Sequence, residues 1–222
     1  MPTIGGPITS GLPVMVGGAF DQREGPAFSG SHHPGRALVD HADVLVFETA
    51  PLAQAVTLVG DVALVLFIAS DRLTMDFTAK LVDVHSPSDS YPQGYAMNLC
   101  DGNLSACFRN GFAKAEALVP GEVAELTIRL YPTANRFLQG HRIRIEVASS
   151  NFPRFDVNPN VAPGDDLSPS AYPRATPSFS APVRLRASAG TGWRSKQVGQ
   201  RQNASPPTRE FRWPPNGATL RL

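Results

Sequence analysis

The 222 residues predict an all-β chain folded as a β sandwich. Three observations carry that expectation. The chain holds 19 glycines and 21 prolines, which interrupt it too often for long helices and favour many turns. Ile143, Ile145 and Val147 alternate with Arg142, Arg144 and Glu146, the period of two that marks a strand with one buried face. Apolar runs of strand length follow one another at short spacing between Val44 and Ser149, and none reads as a defining helix. Periodicity alone does not separate a jelly roll from an immunoglobulin-like topology.

Residues 1–42 are rich in Gly, Pro, Ser and His without a sustained period, and read as an extended arm or linker lying on some surface. Val44–Thr49 is the first strand, broken by Pro51. Val56–Val59 and Val62–Ser70 follow, separated by Gly60-Asp61, and the second is apolar on both faces, as expected between two layers. Asp76–Val84 sets Phe77, Ala79 and Leu81 on one face. Tyr95–Cys100 and Leu104–Arg109 read as a hairpin across Asp101-Gly102. Phe112–Leu118 has room for one helical turn. Pro120-Gly121 introduces Glu122–Tyr131, where Ala124, Leu126, Ile128 and Leu130 point one way and Glu125, Thr127, Arg129 and Tyr131 the other. Asn135 to Gly140 turns the chain into Arg142–Ser149. Beyond Asn160, residues 161–222 read as a divergent basic tail with weak strand candidates at Val183–Ala187 and Thr219–Leu222.

Apolar residues make up 42% and charged residues 18%, the composition of a soluble globular protein. No apolar run reaches the roughly 18 residues that span a bilayer, so no membrane partner is expected. The N-terminus lacks a basic start followed by an apolar core, so no secretory signal is expected, and a cytoplasmic setting is. Cys100 and Cys107 are expected to be free thiols, because the hairpin would carry them apart. Residues 1–160 hold 11 basic and 16 acidic residues, whereas 161–222 hold 9 and 3. A basic tail can attract nucleic acid, but this composition reads as a solvated terminus, and no nucleic-acid partner is expected.

Several segments in order resemble one family: P-T-I-G-G (Pro2–Gly6), F-D-Q-R (Phe20–Arg23), D-V-L-V-F-E-T-A-P-L (Asp43–Leu52), D-F-T-A-K-L-V-D-V (Asp76–Val84), N-L-C-D-G (Asn98–Gly102), P-G-E-V (Pro120–Val123) and the block Pro132–Asn160. Together they resemble the C-terminal β domain of Xaa-Pro dipeptidyl-peptidase and cocaine-esterase-like (CocE/NonD) serine hydrolases. The resemblance implies a jelly-roll β sandwich of galactose-binding-like topology over residues 43–160. It also implies a partner, an α/β-hydrolase catalytic domain whose active-site cleft this domain helps to wall. That catalytic domain is absent from the chain. No G-x-S-x-G occurs in the 222 residues, so the exposed nucleophile turn and its oxyanion hole are missing.

No catalytic residue is therefore expected. Ser31, His33 and Asp40 could supply the groups of a triad, but nothing in their spacing brings them together. His32, His33, His41 and Asp43 are metal-ligand types, yet adjacent histidines on an extended arm point apart, and neither a metal nor another cofactor is expected. Asp76 and Asp83 bracket one strand and are expected to cap turns or pair with arginine; His141, after Gly140, reads as structural. The strongest candidates lie in the loop 151–160. There Asn151, Phe152, Arg154, Phe155, Asp156 and Asn158 would brace the loop or dock it on a partner domain. Arg154 suits a carboxylate, Asp156 backbone amides, and Phe152 and Phe155 an apolar contact. An alternative function is a stand-alone carbohydrate- or ligand-binding jelly roll, although its only tryptophans, Trp193 and Trp213, lie in the tail.

Overall fold

A computed structural model of the chain describes residues 21–24, 33–41, 43–151, 155, 157, 158 and 160, together with the backbone of 178–179, 184–188 and 199–200. The strands are β1 (Leu45–Glu48), β2 (Val56–Ala69), β3 (Asp76–His85), β4 (Tyr95–Ser105), β5 (Ala124–Phe137), β6 (Arg142–Ala148), β7 (Ser178–Phe179), β8 (Arg184–Ser188) and β9 (Gly199–Gln200). They form two antiparallel sheets. One runs β4-β3-β6-β1-β9; the other runs β5-β2-β7, with β8 also pairing β2. This is an all-β, two-sheet sandwich, as the sequence predicts. The short strand expected near Val183–Ala187 corresponds to β8, while Thr219–Leu222 lies outside the described residues.

The core fills the space between the sheets. Leu58, Leu64, Leu66 and Ile68 of β2 and Leu126, Ile128 and Phe137 of β5 meet Phe77, Ala79 and Leu81 of β3 and Ile143, Ile145 and Val147 of β6. Burying one such side chain contributes roughly 1.5–3 kcal/mol, so these facing rows supply the main drive for closing the two layers.

Two expected turns are instead interior to strands. Gly60 does not separate two strands: β2 runs straight through it, with Gly60 opposite Thr133 and Val62 opposite Leu130. Tyr131 and Pro132 therefore share the space opposite Asp61, a bulge that accommodates a proline with no N–H to donate. Gly60 sits at φ 119°, which favours glycine at that kink. Asp101-Gly102 is likewise no hairpin turn. β4 continues through it along β3, pairing Lys80 with Asp101 and Ala79 with Gly102. Gly102 is required by a close approach: a Cβ there would lie 2.2 Å from the Arg129 carbonyl oxygen on the facing sheet. The eight sequence-predicted strands between Val44 and Ser149 thus merge into six.

No helix forms over Phe112–Leu118; the nearest helical geometry is a 3-10 turn at Ala106–Phe108. The alternation in β6 also hides a second buried face. Arg144 and Glu146 are buried like the isoleucines beside them, though Arg144 slightly less. The reason is the arm, whose described parts lie on that face. Gln22 N–H donates to Ala96 O at 3.0 Å, Leu38 N–H donates to Gln22 O at 3.0 Å, and Leu38 is fully buried.

Candidate functional site

The outer face of the β4-β3-β6-β1-β9 sheet carries a row of charges in register. Asp101, Lys80 and Glu146 lie opposite one another across β4, β3 and β6, and Arg144 lies opposite Glu48. Lys80 Nζ donates to Gln22 Oε1 at 3.0 Å, and Arg144 Nε donates to Glu48 Oε2 at 2.6 Å. Burial pushes Lys80 below the ordinary lysine range, against the pull of Glu146 and Asp101. Burial likewise raises Glu146, opposed by Lys80 and Arg144. Each ion is held by neighbours of opposite sign, the condition under which buried charge is tolerated.

Of the sequence-predicted loop residues, Asn151, Phe155 and Asn158 are described, while Phe152, Arg154 and Asp156 lie outside the described residues. Asn151 is buried, and its Nδ2 donates to Asp101 Oδ2 at 3.1 Å, fastening the loop to β4. Phe155 N–H donates to Asn151 O at 3.2 Å. Asn158 Nδ2 donates to Asp76 Oδ1 at 2.6 Å, and Asn158 Oδ1 accepts from Asn160 N–H at 2.7 Å, an Asx turn. Asp76 thus receives an asparagine rather than an arginine. The loop leaves β6 at the end of the sandwich where β3 and β5 begin. At that same end Leu73, Phe112, Val119 and Val123 are exposed, Phe112 to 80%. Leu118 N–H donates to Leu73 O at 2.7 Å, which joins two of the segments that present them.

The opposite end holds a cluster that sequence reasoning missed. Asp83 and His85 are two residues apart on β3 and so share a face. His141 stands one position before Arg142, which pairs Val84, and this brings its ring beside His85. His141 Nδ1 lies 2.9 Å from Asp83 Oδ1, His85 Nε2 lies 3.6 Å from Asp83 Oδ2, and the imidazole centroids are 4.1 Å apart. Asn135 of β5, on the other sheet, donates from Nδ2 to Asp83 Oδ2 at 3.0 Å. Burial lowers the His85 pKa, the Asp83 carboxylate raises it, and His141 lowers it further. The signal was present as D-x-H on a strand, but the third group lies 56 residues on, and only pairing of β3 with β6 unites them. On the arm, His41 and His33 converge instead on Glu24: His41 Nε2 lies 2.7 Å from Glu24 Oε1, and His33 N–H donates to Glu24 Oε2 at 2.9 Å.

These features define a two-sheet β-sandwich module with exposed apolar side chains beside an anchored loop at one end and a histidine–carboxylate cluster at the other. Residues 17–173 match the family model described as the X-Pro dipeptidyl-peptidase C-terminal non-catalytic domain, and the chain belongs to that family. It is 41% identical over 126 residues to cocaine esterase of Rhodococcus sp. (strain MB1 Bresler), covering 57% of this chain and 21% of the esterase. A putative serine esterase of Mycobacterium bovis (strain ATCC BAA-935 / AF2122/97) is 34% identical over 148 residues, covering 59% of this chain and 22% of that protein. Among solved structures, an aminopeptidase from the marine sediment archaeon Thaumarchaeota archaeon superposes with a TM-score of 0.59 at 33% identity, over 63% of this chain and 24% of the aminopeptidase. The chain therefore spans about a fifth of the length of the curated relatives it matches.

Proposed function

We propose that this domain packs on the α/β-hydrolase domain of a serine hydrolase and walls its active site, in a parent enzyme that cleaves acyl esters or Xaa-Pro peptide bonds. The observation that carries the reading is the match of residues 17–173 to a non-catalytic C-terminal family model. The names of the relatives, esterases and an aminopeptidase, support the acyl-transfer class of the parent reaction. The docking surface is the end bearing the 151–160 loop with Leu73, Phe112, Val119 and Val123, because exposed large apolar side chains beside an anchored loop favour a protein contact over free solvent. Asn151, Phe152, Arg154, Phe155, Asp156 and Asn158 would form its polar and aromatic rim. The two-sheet arrangement supports a jelly-roll, galactose-binding-like topology, and the two buried free thiols favour a reducing, cytoplasmic setting.

The test is reconstitution. The purified chain alone is expected to hydrolyse neither Xaa-Pro amides nor aryl esters above background. Mixed with the separately expressed catalytic portion of the 41%-identical esterase, it should form a complex detectable by size-exclusion chromatography. Turnover by the chain alone that a fluorophosphonate blocks would overturn the reading.

A further inference from the structure

From the meeting of Asp83, His85 and His141 between the two sheets, we propose that this end of the sandwich is a binding site for one divalent transition-metal ion of the zinc type. The three side chains offer one ligand atom each, a carboxylate oxygen and two imidazole nitrogens, all within 4.8 Å of one another. Two histidines and a carboxylate form a donor set suited to Zn2+ and its first-row neighbours, and poorly suited to Ca2+ or Mg2+, which prefer oxygen.

Three further observations favour a ligand over a self-sufficient cluster. His85 Nε2 is buried and has no hydrogen-bond partner among the described residues, although Asp83 faces it at 3.6 Å. A buried polar atom left unpaired is costly, and a metal would satisfy it. Asp83, only 2% exposed, is oriented from behind by Asn135, the arrangement in which an outer hydrogen bond aims a metal-ligating carboxylate. The His85 side chain is 35% exposed although its Nε2 is buried, so the ring stands at the rim of the cluster with that nitrogen turned inward.

Only small movement is needed. Metal–ligand bonds of about 2.0–2.2 Å place tetrahedral donors roughly 3.3–3.5 Å apart. The 2.9 Å contact between His141 Nδ1 and Asp83 Oδ1 must open by a few tenths of an ångström, while His85 closes in. His141 then ligates through Nδ1 with its proton on Nε2, and the ion replaces the hydrogen bond to Asp83. Because Asp83 and His85 lie on β3 and His141 at the start of β6, the loaded site would lock these paired strands together at this end, with Asn135 of the other sheet holding Asp83 from behind.

The experiment is titration of the metal-free chain with Zn2+ by calorimetry, and with Co2+ by visible absorption. One tight equivalent is expected, with a Co2+ d–d band of tetrahedral intensity and a rise in Tm in excess Zn2+. His85→Gln and His141→Gln should each weaken that equivalent at least tenfold and abolish the band. His33→Gln, distant on the arm, should leave both unchanged. His85 Nε2 makes no hydrogen bond among the described residues, so His85→Gln is expected to fold and keeps the test decisive if His141→Gln does not. X-ray absorption of the Zn2+ form should show two imidazoles. Failure to bind one equivalent, or binding that His85→Gln leaves intact, would reduce the cluster to a hydrogen-bonded clasp and overturn the proposal.

Discussion

Cys100 illustrates how a single buried atom can set a pH response. Its thiol faces loss of hydration first and the Asp101 carboxylate second, and together they push its pKa from 9.0 up to about 12. Below pH 9 the thiol keeps its proton in both the folded and unfolded states. Between pH 9 and 12 the unfolded chain gives it up while the folded chain holds it, so the folded state loses stability as the pH rises. The full effect is on the order of 4 kcal/mol as an upper limit. Urea unfolding at pH 7 and pH 10.5 should show a smaller drop for Cys100→Ala than for the wild type, and Cys100 should resist a disulfide reagent at pH 8 until the protein unfolds. Gly102→Ala addresses a different residue-scale constraint. The added methyl would meet the Arg129 carbonyl oxygen at 2.2 Å, and the backbone of either sheet must move. A loss of about 3 kcal/mol in the same assay is expected.

At the scale of elements, the strands whose alternation leaves one face polar were legible. Glu122–Tyr131 predicts the first part of β5, because Leu126, Ile128 and Leu130 face a core while Glu125, Thr127 and Arg129 do not. The strand runs on past Pro132 through Asn135, where a turn was expected, to Phe137. Gly60 and Gly102 misled because glycine signals two different things, a turn or a close approach, and only the partner strand decides which. The charged face of β6 misled for a similar reason: Arg144 and Glu146 look solvated until the arm is laid over them. Within the candidate loop, the asparagines were legible as anchors, but their acceptors, Asp76 and Asp101, belong to strands far away in sequence. Arg144→Leu would take from Glu146 its guanidinium and leave Glu48 only that of Arg142, at a cost of about 3 kcal/mol near neutral pH. That cost should shrink as the pH falls and Glu146, whose pKa burial raises, takes up a proton, which thermal melts at pH 7 and pH 4.5 would compare. Asn158→Ala removes one hydrogen bond at the loop's far anchor, should cost about 1 kcal/mol, and should hasten proteolysis within 151–160.

On the scale of the whole molecule, the two proposals fall at opposite ends of the sandwich. The 151–160 end joins an anchored loop to exposed apolar side chains, and Phe112→Ser is expected to weaken complex formation with a hydrolase domain about tenfold while leaving Tm within a few degrees. Size-exclusion chromatography of the mixed chains, with a melt of each variant, checks both halves of that expectation.

The strap formed by Gln22 and Leu38 has a practical corollary for anyone dissecting longer relatives. A fragment begun at Asp43, where the first regular strand invites a cut, would leave the Lys80 ammonium without its amide cap and open an ionic stratum to water. A fragment begun ahead of Asp21 keeps that lid in place. The natural unit for expression, grafting or domain exchange is thus larger than its strands alone suggest.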